Sequence, residues 1–84
     1  MLGETDREYR KQEILVEIPK GKDTVKVIIG HKMVSGVLKK YLDVRVWYPN
    51  DDNEIKPGRG FAKPLNKEEM ARIGQVILDY AATM

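Results

Sequence analysis

The stretch Tyr41–Tyr48, YLDVRVWY, constrains the fold of this chain more than any other segment. It is rich in β-branched and aromatic residues, contains no glycine, and is closed by Pro49, so it reads as a strand. Side chains alternate across a strand. Leu42, Val44, Val46 and Tyr48 therefore share one face, the expected core side. Tyr41, Asp43, Arg45 and Trp47 share the other, with a guanidinium and an indole two positions apart where solvent or a ligand would lie.

A strand needs partners, and the flanking sequence supplies them. Glu13–Ile18 (EILVEI) and Thr24–Ile29 (TVKVII) are rich in β-branched residues, with Ile14, Val16 and Ile18 on one face of the first and Val25, Val27 and Ile29 on one face of the second, and Pro19–Asp23 supplies turn residues between them, the pattern of a hairpin. Gly30 interrupts the second run and suggests a bulge or bend. His31–Lys40 (HKMVSGVLKK) is ambiguous: Met33, Val37 and Tyr41 fall at helical spacing, whereas Val34, Gly36 and Leu38 alternate as in a strand. Glycine inside a helix costs about 1 kcal/mol relative to alanine, which favours a strand to about Ser35 and then a basic turn. After the acidic loop Asn50–Glu54, the order Pro57-Gly58 fits a type II turn with Lys56 and Arg59 at its corners. Gly60–Leu65 reads as a short edge strand. Residues 1–11 have no periodicity and read as a flexible arm ahead of one domain spanning 12–84.

Asn66 with Glu69 three residues on forms a capping-box pattern that starts a helix. Met70, Ile73, Ile77, Tyr80 and Met84 make an apolar stripe, and Ala71, Gly74, Leu78 and Ala81 a second flank with small residues. One stripe is expected to cover the sheet. The second flank is expected to meet a second copy, with the contact formed by Gly74, Leu78 and Ala81 together with the adjoining Ile73 and Ile77. An 84-residue chain without cysteine buries only about 60–65% of its unfolded surface and has no disulfide to compensate, which also argues for a homodimer. The expected class is α+β: a four-stranded antiparallel sheet followed by one helix.

Catalytic raw material is scarce. Ser35 and His31 are the only serine and histidine, and there is no thiol, so nucleophilic catalysis lacks its usual parts and no enzyme is expected. His31 reads as a polar surface residue. One histidine and no cysteine cannot make a usual zinc site. Asp51, Asp52 and Glu54 lack the spacing of a calcium loop, and the glycines form no nucleotide fingerprint. Neither cofactor nor metal is expected. With no apolar run of ~18 residues and a polar N-terminus, the expectation is a cytoplasmic protein without membrane partners, nucleoid-associated if prokaryotic.

The net charge of +2 conceals an uneven distribution. Residues 24–48 carry +4, 49–55 carry −3 and 56–67 carry +4, while 1–23 sum to −1 and 68–84 to −2. Cations gathered into strands and turns are a polyanion footprint or, alternatively, lysines guarding sheet edges. Single-stranded nucleic acid needs cations along its backbone and flat apolar faces for its bases. Lys32, Lys39, Lys40, Tyr41, Arg45, Trp47, Lys56, Arg59 and Lys63 offer both. Trp47 reads equally as a core or dimer anchor.

From Leu42-Asp43-Val44-Arg45 through Glu54-Ile55-Lys56-Pro57-Gly58-Arg59 and into Leu65-Asn66, the chain resembles the transcriptional positive cofactor four family of single-stranded-DNA-binding coactivators, including its small bacterial or phage-type members. Ile29–Met33 is similar to that family's bent strand, and Lys20-Gly21-Lys22 resembles, over a short span, the basic turn of the related Whirly fold. The resemblance implies a β-β-β-β-α chain that pairs through its helices. It also implies phosphate contacts from Lys39, Lys40, Arg45 and Arg59, with stacking near Trp47 and Tyr48. Strand alternation favours Trp47 as the stacking residue. Val37 or Leu38 stands where the family often has an aromatic, and Gly60 follows Arg59 where a second cation is common.

The expected function is therefore binding of single-stranded DNA with little sequence preference, RNA being the alternative polyanion, in support of transcription, replication or repair machinery. The competing expectation is a protein-interaction or coactivator module whose basic sheet face meets an acidic protein. An RNA reader of the two-helix type fits poorly, since only one helix is indicated.

Overall fold

The computed structural model describes residues 3–84. Its elements are β1 (Lys11–Lys20), β2 (Asp23–Val34), β3 (Val37–Pro49), β4 (Ile55–Pro64) and α1 (Lys67–Ala81). The strands form one antiparallel sheet in the order β1-β2-β3-β4. This is the expected α+β architecture, a four-stranded sheet followed by one helix.

Local chemistry accounts for the connections. Lys20 pairs with Asp23 around Gly21-Lys22, and Val34 pairs with Val37 around Ser35-Gly36. Ser35 and Gly36 both have positive φ, 51° and 82°, as the tight turn favoured by strand twist requires. The ambiguous stretch is thus strand, turn, strand, because a two-residue reversal lets both flanks keep their ladder bonds. No basic turn forms. Lys39 and Lys40 lie within β3. In the acidic loop, Asn50 Oδ1 accepts from the amides of Asp52 (2.9 Å) and Glu54 (3.0 Å). Asn66 and Glu69 form the expected capping box at the start of α1.

Two local expectations are corrected. Gly30 is not a bulge, since the ladder runs unbroken past it on both sides. Lys56–Arg59 is not a turn but part of β4, and Gly58 is not among the positive-φ glycines. The irregularities fall instead in β1 between Ile14 and Val16 and in β4 opposite Val46, where Gly58 and Arg59 intervene between the Arg45–Gly60 and Trp47–Pro57 pairs.

The register divides the side chains between two faces. One carries Thr24, Lys26, Ile28, Gly30 and Lys32 of β2 opposite Trp47, Arg45, Asp43, Tyr41 and Lys39 of β3. The other carries Val25, Val27, Ile29 and His31 opposite Val46, Val44, Leu42 and Lys40. The second is the expected core face, yet only its Leu42 is buried, while Tyr48 and Phe61 stay exposed. The most enclosed apolar residue, Ile28 at 1% exposure, lies on the Trp47 face beside buried Asp43.

The helix explains this inversion. It does not pack across the sheet: none of its residues is buried, and Ile73, Val76, Ile77, Leu78 and Tyr80 are all exposed. Only its first turn approaches, where Met70 and Lys67 share a hollow with Ile29, Lys40, Glu13 and Leu65. The expectation that one helix stripe covers the sheet is corrected accordingly. The molecule is a plate of 50 × 40 × 17 Å with a radius of gyration of 15.1 Å, against about 12 Å for a compact chain of this length.

The N-terminal segment, expected to be a flexible arm, lacks regular structure but is tied to β2. Asp6 N–H donates to Met33 O (2.9 Å), Arg10 N–H to His31 O (2.7 Å), and Gly36 N–H to Glu4 O (2.8 Å). The Asp6 carboxylate accepts from Met33 N–H (2.9 Å) and from Arg10 Nε (2.7 Å). The Met33 amide, then the Arg10 guanidinium, hold the Asp6 carboxyl below the usual carboxylate range. These bonds leave no periodic apolar trace, so pattern reading could not find them.

Candidate nucleic-acid interface

The Trp47 face is a ladder of cations and aromatic rings. Lys26 stands directly opposite Arg45, and Lys32 directly opposite Lys39. Like charges facing each other across a sheet are unfavourable. Only the first pair is compensated: Lys26 Nζ lies 3.5 Å from Glu17 and Arg45 Nε 2.6 Å from Asp43. Lys32 and Lys39 make no ion pair among the described residues. The two cationic rungs are six positions apart along each strand, about 20 Å at the usual rise.

Rings occupy the space between and beyond those cations. Lys26 Nζ sits 4.6 Å from the centre of the Trp47 ring, and Lys32 Nζ 4.7 Å from that of Tyr41 and 5.6 Å from that of Tyr9. Such contacts are worth about 0.5–1 kcal/mol when exposed and about 2 kcal/mol or more when desolvated, and with the Lys26 side chain 22% exposed these are partly desolvated. Trp47, Arg45, Lys32 and Tyr9 line one open hollow together with Asp43 and Pro57. Trp47 Nε1 is buried and has no acceptor, a costly state for a donor unless something supplies a partner.

Asp43 is the anchor of this face. It is 3% exposed, and its two oxygens are divided between two donors: Oδ1 accepts from Arg45 Nε (2.6 Å) and Oδ2 from the Tyr9 hydroxyl (2.7 Å). The Tyr9 ring lies on Gly30, where a β-carbon would collide with it, and 6.1 Å from the Tyr41 ring. Burial, and then the bond to Asp43, push the Tyr9 phenol well above its ordinary pKa, which keeps the hydroxyl a donor.

The sequence-derived residues do not all converge. Lys32, Lys39, Tyr41, Arg45 and Trp47 come together on this face. Lys40 points to the opposite side, paired with His31, as do Lys63, opposite Leu42, and Lys56, opposite Tyr48. Arg59 lines a hollow with Val46 and Tyr48, also on the opposite side. Tyr48 shares the face of Leu42 and Val44, so it is separated from Trp47 by the sheet itself. His31, expected to be a surface residue, is clasped by Glu13 at 2.6 Å with its side chain 12% exposed, and this bond holds the Glu13 carboxyl below its usual range.

Two members of the face were missed in the sequence. Lys26 was legible in principle, because it keeps the parity of Lys32 along β2. Tyr9 was not, since it reaches the sheet from a segment with no pattern. The residues expected at a second copy, Ile73, Gly74, Ile77, Leu78 and Ala81, lie exposed along α1, and a side chain at Gly74 would meet nothing.

Among the described residues no three metal-ligating side chains cluster, and no helix is long and apolar enough to cross a membrane. Comparison with known protein families, with curated proteins and with solved structures finds no match for this chain.

Proposed function

We propose that this protein binds single-stranded DNA with little sequence preference, as a homodimer, and serves transcription, replication or repair. The observation that carries this reading is the Lys32–Lys39 rung: two cations face each other without a carboxylate, one of them resting on Tyr41. A phosphate between them relieves their repulsion. Bases stack on Tyr41 and Trp47, where each ring is worth about 1–3 kcal/mol per base. Lys26 and Lys32 then leave the ring faces for the backbone, each exchanging a cation–ring contact for a phosphate.

Support for the second copy comes from what one chain leaves uncovered. A domain is ordinarily two packed layers, whereas this plate is 17 Å thick and both its Leu42 face and α1 expose large apolar side chains. Pairing of two chains through α1 supplies the missing layer and leaves both Trp47 faces outward.

Trp47 is the only tryptophan, so its fluorescence reports the site directly. Titration with oligothymidine at low salt is expected to quench it, and added salt to reverse the quenching. No response at micromolar concentrations overturns the proposal and favours an acidic protein as the partner of this face.

A further inference from the structure

Asp43 presents a difficulty for a phosphate-binding face. It is a carboxylate at the centre of the cationic ladder, and its natural partner is Arg45, two residues along the same strand. An arginine beside a carboxylate with both oxygens free tends toward a bidentate, side-on pair. Such a pair would spend Nε and one Nη on Asp43 and withdraw the guanidinium from any ligand.

The arrangement here is different. The Tyr9 hydroxyl occupies Asp43 Oδ2 at 2.7 Å, so Arg45 makes one bond only, from Nε to Oδ1. Neither Arg45 Nη hydrogen-bonds to the described residues, and Arg45 lines the hollow with Trp47 and Lys32. Tyr9 is held in place by two features of the sheet. Its ring lies where a β-carbon at position 30 would be, and the Arg10 and Asp6 amides, bonded to His31 O and Met33 O, fix the backbone on either side.

We infer that Tyr9 is a positioning residue for the interface: by capping Asp43 it keeps Arg45 monodentate and so presents the guanidinium to phosphate. The inference rests on the single-stranded-DNA reading for its consequence, but not for its geometry. Tyr9→Phe keeps the ring on Gly30 and removes only the hydroxyl, which frees Oδ2 for Arg45.

The test combines two readouts on the full chain. In the free protein, the Arg45 guanidinium signals in nitrogen-15 NMR are expected to change in Tyr9→Phe, with the Nη groups resolving as rotation about Nε–Cζ slows. Affinity for oligothymidine is expected to fall about five-fold, within the usual coupling range for residues of one hydrogen-bond network. In an Arg45→Ala background the same substitution is expected to cost nothing. A purely structural Tyr9 would instead weaken binding equally in both backgrounds, and that result overturns the inference. So does an unchanged Arg45 spectrum in a folded Tyr9→Phe protein. If the parent protein fails to bind oligothymidine, the functional proposal falls, and the Arg45 spectrum alone decides the role of Tyr9.

Discussion

The ring of Tyr9 lies in the space that a side chain at position 30 would occupy, so Gly30 and Tyr9, which precedes β1, are one packing unit at the open end of the first hairpin. Gly30 serves here by its lack of a β-carbon rather than by its backbone freedom. Gly30→Ala is expected to expel the ring and destabilise the fold by about 1–3 kcal/mol, the usual cost of overpacking. Tyr9→Ala in the same chain removes the clash, so the double variant is expected to lose less than the two single variants together. Urea unfolding of all four proteins measures this.

The two faces of the sheet differ in how their cations should behave toward a strand of nucleic acid. Replacing Lys32 and Lys39 by alanine is expected to flatten the dependence of log affinity on log salt by about 0.7 for each phosphate left without its cation. Replacing Lys40 and Lys63, which lie on the Leu42 face, is expected to leave the slope unchanged. Oligothymidine binding measured at several salt concentrations separates the two pairs.

Self-association through α1 predicts a particle of twice the 9.6 kDa chain mass. Ile77 and Leu78 are exposed in the single chain, so an aspartate at either place costs the monomer little and the paired form much. Ile77→Asp is expected to shift sedimentation from dimer to monomer. An unchanged sedimentation coefficient would place the contact elsewhere.

Acid is expected to loosen the N-terminal segment before it unfolds the sheet. The Asp6 and Glu13 carboxyls both titrate below their ordinary values, held there by the Met33 amide with Arg10 and by His31 respectively. A depressed folded pKa contributes stability that is fully present above the unfolded value, about 4. That contribution is lost as pH falls through the folded value. Protection of the Met33 and Arg10 amides from hydrogen exchange should therefore fall on acidification below about pH 4. Asp6→Asn should weaken protection of Met33 already at neutral pH.

Much of this molecule is written in short-range pattern. Alternation set the parity of β3 and put Arg45 and Trp47 on one face, and Asn66 with Glu69 marked the start of α1, because ladder and cap bonds are local. Turn chemistry was legible only in part. The glycine at position 36 does reverse the chain, whereas Pro57-Gly58 looks like a turn and sits in a strand, since pairing with β3 outweighs a local turn preference.

Local pattern was enough for the order of elements and for the faces of Tyr41–Tyr48, because alternation within an uninterrupted strand needs no distant contact. Strand pairing set which cations stand opposite one another and put Lys40, Lys56, Arg59 and Lys63 across the sheet from Trp47, and packing left the sheet uncovered by α1. Register and helix placement depend on contacts between residues far apart in the chain. The bond from Tyr9 to Asp43 spans 34 positions, and no local propensity records a contact of that kind.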